Sequence, residues 1–75
     1  MTFIYTPHAR LRMRQRGLAR RLIEAAIIDP DRISASFLGR RVARKSVRGK
    51  PLEVVFKRLD GQTIVITAYW LETGT

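Results

Sequence analysis

Three residue–glycine pairs, Leu38-Gly39, Arg48-Gly49 and Asp60-Gly61, constrain the fold of this chain more than any other feature. Around them lie runs rich in β-branched and aromatic residues: ISASF (33–37), RRVARKSV (40–47), LEVVFKR (52–58) and TIVITAYW (63–70). Such pairs between such runs signal hairpins, because tight hairpin turns need residues that accept positive φ. The second half therefore reads as an antiparallel meander of four strands. In its last run Ile64, Ile66, Ala68 and Trp70 alternate with Val65, Thr67 and Tyr69, so one set is expected on each face. Both sets are largely apolar, which predicts a central strand covered on at least one side.

The first half has a different period. TFIY (2–5) is β-branched and aromatic and fits a short strand. Thr6 and Pro7 read as N-cap and first helical residue, and Gly17 as the residue that ends a helix over 7–16. A second helix is expected through ARRLIEAAIID (19–29), ending before Pro30, with Leu22, Ile23, Ala26 and Ile27 on its apolar stripe. Its start is weak, since Leu18 and Ala19 offer no capping side chain. The expected fold class is α+β: a short N-terminal strand, then two helices packed on a four-stranded antiparallel sheet, in the order β-α-α-β-β-β-β.

Residues 1–75 form one expected domain, since a chain this short buries only about 60% of its unfolded surface and has one modest core. With no cysteine, one histidine and six carboxylates, neither a disulfide framework nor a metal site is expected, and no cofactor is implied. The apolar fraction of 45% suits a folded protein. No apolar run approaches the ~20 residues of a membrane span, and the N-terminus has no signal-peptide core, so a cytoplasmic location is expected.

Charge narrows the choice of partner. Fifteen Lys and Arg face six Asp and Glu, for a formal +9. Fourteen of the fifteen cations fall in residues 10–21, in residues 40–50, or at Lys57 and Arg58, while no acid precedes Glu24. Most are Arg, which forks onto phosphate and stacks on bases better than Lys. This pattern favours RNA or the ribosome, DNA, or an acidic protein. A membrane surface fits poorly, because the basic helix lacks a broad apolar outer face.

On the first helix, Ala9 and Met13 form the inward stripe, and His8, Arg12 and Arg16 follow at i, i+4 and i+8 as a ridge beside it. Arg10 and Arg14 are expected opposite, toward water. Arg12 and Arg16 could equally cover the core edge with their stems and pair with Glu24, Asp29 or Asp31. His8 lies in the first turn, where the helix dipole disfavours its protonated form; it is either a proton-transfer group or a histidine satisfied by nearby backbone. In the second basic run Val42, Arg44 and Ser46 share one face, and Arg41, Ala43, Lys45 and Val47 the other. These cations either reach a phosphate or blunt a sheet edge. Trp70 is expected in the core, with Tyr69 partly exposed and able to stack on a base.

The residues HARLRMRQRGL, an apolar helix ending in DPD, and then GRRV, LEVV and TIVITAYW resemble the prokaryotic family called domain of unknown function 4258 (DUF4258). The likeness runs from about Thr6 to Trp70, with Leu18-Ala19 departing from the Ser or Thr usual at the second helix cap. That family's element order is similar to RelE/ParE toxins and barnase-like ribonucleases. The resemblance implies metal-independent RNA cleavage of toxin type, or a degenerate relative of such an enzyme. It would assign His8 to acid–base work and Arg12, Arg16, Arg44 and Lys45 to phosphate charge, with Tyr69 orienting a base. No glutamate stands out as a second catalytic group. The alternative is a non-catalytic basic module holding RNA, DNA or an acidic antitoxin-like protein. Either way, Arg10, Arg14, Arg20, Arg21, Arg40, Arg41, Arg44, Arg48 and Lys50 are the expected nucleic-acid contacts.

Overall fold

The structure, a computed structural model, describes residues 2–36 and 38–71. The elements run β1 (Thr2–Tyr5), α1 (Pro7–Arg16), α2 (Arg20–Ile28), β2 (Arg32–Ala35), β3 (Arg41–Val47), β4 (Lys50–Leu59) and β5 (Gln62–Trp70). Phe37, expected at the end of the first meander strand, lies outside the described residues. Element order and the hairpin meander agree with the sequence reading, but the sheet does not. It has five strands in the order β1-β5-β4-β3-β2, and it is mixed, because β1 lies parallel to β5 with Tyr5 opposite Val65. The four-stranded antiparallel sheet expected from sequence is corrected accordingly. Hairpin signals specify neighbours close in sequence, whereas the partner of β1 lies some sixty residues away across two helices.

Local chemistry sets the helix ends. The Thr6 hydroxyl accepts from Ala9 N at 3.1 Å and donates to Ile66 O at 3.0 Å, capping α1 and tying it to β5. Gly17, at φ 62, closes α1 in the left-handed region, where a side chain costs energy. Ala19 gives α2 no side-chain cap. Two hairpins close through two-residue turns with both central residues at positive φ: Arg48 (53) with Gly49 (82), and Asp60 (50) with Gly61 (75). Their right-handed twist matches that of the strands they join.

Both helices pack on one face of the sheet, α1 over β5 and β1, α2 over β3 and β4. The core between the layers holds Ile23, Ala26 and Ile27 of α2, Ala9 of α1, and Ala43, Leu52, Val54, Phe56, Val65 and Ala68 of the sheet. The strict alternation expected along β5 fails in its middle. Val55 pairs with Thr67, yet Phe56 pairs with Val65, leaving Ile66 as the extra residue of a bulge. Thr63, Val65 and Ala68 are therefore buried under the helices, and Ile64, Thr67 and Tyr69 face the other way. Trp70 is half-buried at the core margin rather than within it. No described helix is long and apolar enough to cross a membrane.

Candidate nucleic-acid interface

The cations outnumber their partners on the folded surface as they do in the sequence. Among the described residues, three of the fifteen Lys and Arg have a carboxylate oxygen within 4.0 Å: Arg20 with Glu24 at 3.9 Å, Arg44 with Glu53 at 2.8 Å, and Lys45 with Asp29 at 3.5 Å. The acids suggested for Arg12 and Arg16 are engaged elsewhere. Glu24 accepts the Tyr5 hydroxyl at 2.6 Å, Asp29 takes Lys45, and Asp31 accepts the Ser46 amide at 2.8 Å. Arg12 donates instead to Gln15 Oε1 at 3.1 Å, and Arg16 stays exposed. Among the described residues, therefore, no carboxylate lies within 4.0 Å of an α1 arginine.

The larger cleft, about 840 Å³, runs between the edge strand β1 and the α1–α2 corner. Its floor is apolar, built from Phe3, Ile4, Met13 and Leu18, and its cations are Arg10, Arg14 and Arg20. Arg10 and Arg14, expected to face open water, thus border the cleft, while His8, Arg12 and Arg16 do not line it. Ala9 and Met13 pack inward as helical spacing predicts, but the open side of α1 depends on β1, whose place at the sheet edge carries no local sequence signal. Arg20 also lies over the Tyr5 ring, 5.1 Å from its centroid. Burial pushes the Tyr5 phenol up to about 12, the Glu24 hydrogen bond adding to the shift and Arg20 opposing it. Tyr5 is accordingly a neutral donor that fixes the carboxylate beneath Arg20.

A second polar cluster stands on the helix-free face of the sheet. Arg44 on β3, Glu53 on β4 and Tyr69 on β5 are cross-strand neighbours. Arg44 Nε and Nη2 both donate to Glu53 Oε2, at 3.0 and 2.8 Å, while the Tyr69 hydroxyl donates to Glu53 Oε1 at 2.8 Å. The Glu53 side chain is 13% exposed. Burial, then the Glu53 hydrogen bond, raise the Tyr69 phenol above its ordinary value, with Arg44 opposing. The cluster joins a carboxylate, a guanidinium and a neutral hydroxyl. Such a set can accept a proton, bind phosphate and donate a proton.

The six residues expected to take part in cleavage are spread over three places. His8, Arg12 and Arg16 sit on α1; Lys45 lies on the helix-bearing face, its Nζ donating to Asp29 O at 2.8 Å; Arg44 and Tyr69 are on the opposite face. Of the expected contacts, Arg10, Arg14 and Arg20 share the large cleft, and Arg21, Arg48 and Lys50 share a smaller one beside Trp70. Arg40, just before β3, and Arg41, its first residue, line neither cleft. Sequence reasoning missed Glu53, whose pairing with Arg44 follows from the two-residue turn at Arg48-Gly49 by counting back along both strands. It also missed Trp70 as a cleft wall. Among the described residues no group of three or more His, Cys, Asp or Glu is placed to hold a metal.

Neither the curated proteins nor the solved structures include a match to this chain. The family model described as a domain of unknown function, DUF4258, matches residues 5–70, and the chain belongs to that family.

Proposed function

We propose that this protein is a cytoplasmic RNA-binding module that grips phosphates with arginines from α1 and the start of α2. The observation that carries the reading is the scarcity of internal partners: three cations of fifteen meet a carboxylate among the described residues, and α1 contains no acid. Leaving so many like charges on one small domain costs stability through self-repulsion, which an anionic partner relieves. The large cleft adds aromatic and aliphatic floor to its three arginines, a combination that suits an unpaired nucleotide better than a bare anion.

A second reading, metal-independent ribonuclease of RelE/ParE or barnase type, draws support from Glu53. On that reading Glu53 takes the 2′-hydroxyl proton, the 2′ oxygen attacks phosphorus, Arg44 neutralises the added charge, and Tyr69 protonates the departing 5′ oxygen. The products would be a 2′,3′-cyclic phosphate and a 5′-hydroxyl. Labelled total RNA incubated with the protein in EDTA separates the readings. Intact RNA that shifts in a gel supports the binding module, and RNA that neither shifts nor breaks overturns both. Cleavage abolished by Glu53→Gln would establish the enzyme on the sheet face. Cleavage abolished by His8→Ala but not by Glu53→Gln would place it on α1.

A further inference from the structure

The smaller cleft, about 430 Å³, lies at the far end of the sheet from the β4–β5 turn. Three elements that are distant in sequence build it. Arg21 and Leu22 come from the first turn of α2, Val47, Arg48 and Lys50 from the β3–β4 hairpin, and Trp70 from the end of β5. Among the described residues, no carboxylate lines it. The Lys50 ammonium stands 6.0 Å from the Trp70 ring centroid, at the outer limit of a cation–π contact, so it borders the indole without clamping it. Leu22 and Val47 continue the apolar surface of the indole toward the core, against which both pack.

Three cations around one half-buried indole select for a ligand with a flat π-face and more than one negative charge. A bare phosphate would leave the indole and the two aliphatic side chains unused. An acidic peptide would satisfy the cations but has no flat group that must lie on the ring. A nucleotide matches both halves, and its size suits a cleft within the usual ~300–1,000 Å³ of small-ligand sites. We propose that this cleft is a single-nucleotide subsite: one unpaired base stacks on Trp70, and its flanking phosphates are held by Arg21, Arg48 and Lys50. The base must be unpaired, because a base within a duplex keeps its faces against its neighbours. The subsite rests on the RNA-binding reading and locates one of its contacts.

Trp70 is the chain's single tryptophan, so its emission reports this cleft alone. The test titrates the full-length protein with oligoadenylate and with inorganic polyphosphate, following indole fluorescence, and measures binding of labelled oligoadenylate by anisotropy in parallel. Oligoadenylate is expected to quench the indole saturably, at the concentrations where anisotropy rises, while polyphosphate leaves the emission nearly unchanged. Trp70→Ala should weaken oligoadenylate binding, read by anisotropy, about tenfold, as loss of one stacked base does. Arg48→Gln, exposed on a turn and outside the core, should weaken quenching severalfold and keeps the test decisive if the tryptophan variant does not fold. Anisotropy that rises without quenching, or equal quenching by both ligands, overturns the subsite and leaves the RNA-binding reading standing. No rise with any RNA overturns both.

Discussion

Tyr5 shows how one side chain serves the core and the charge pattern together. Its ring is buried under the helices, while its hydroxyl fixes Glu24 beneath Arg20. The folded protein favours the neutral phenol, whose pKa rises from 10.0 to about 12. The resulting stability is fully present below pH 10 and is lost as pH rises toward 12. Thermal melts across that window should fall more steeply for the native chain than for Tyr5→Phe; parallel curves would remove Tyr5 as the cause. Phe56 offers a simpler case. It is 1% exposed at the centre of the sheet, so Phe56→Ala should cost about 3–5 kcal/mol in denaturant unfolding, enough to unfold much of a domain this small. A loss below ~1 kcal/mol would mean the core is not built around it. At this scale the sequence reveals much of the core, since Ile23, Ala26 and Ile27 follow from helical spacing. It reveals less of the site. Arg44 opposite Glu53 follows from the turn at Arg48-Gly49, but Tyr69 opposite Glu53 does not. Counted back from the turn at Asp60-Gly61, an unbroken register would set Glu53 against Ala68, and the bulge at Ile66 moves it by one residue.

Among the elements, α1 follows from its sequence almost completely because both of its ends carry local signals, Thr6-Pro7 and Gly17. The other helix lacks one of them. Ala19→Ser should supply an acceptor to the first-turn amides of α2 and raise stability by about 1 kcal/mol. An unchanged melting temperature would show that those amides are already satisfied. The strands divide in the same way. Hairpins between β2 and β5 are visible because each contact is local and each turn has its residue–glycine pair. The parallel pairing of β1 is non-local, carries no turn signal, and decides which side of α1 borders a cleft. That is why Arg10 and Arg14, not the His8–Arg12–Arg16 ridge, emerge as cleft residues.

The whole molecule sets a surplus of nine positive charges on one small fold, with helices over one sheet face and a polar cluster on the other. Self-repulsion of that size should be relieved by screening, so the melting temperature should rise with monovalent salt between low and physiological ionic strength. A flat or falling dependence would mean the internal pairs already balance the field. The same excess should govern binding with the opposite sign, because each arginine that displaces a counterion from RNA makes affinity fall as salt rises. The most direct measurement is therefore the dissociation constant for labelled single-stranded RNA as a function of salt, for the native chain and for Arg10→Gln/Arg14→Gln. The expected result is a steep linear loss of affinity on logarithmic axes, with a slope shallower by about 1.4 in the double variant, the share of two phosphate contacts. Equal slopes would remove the large cleft from the interface, and an absence of RNA binding at low salt would contradict the proposed function outright.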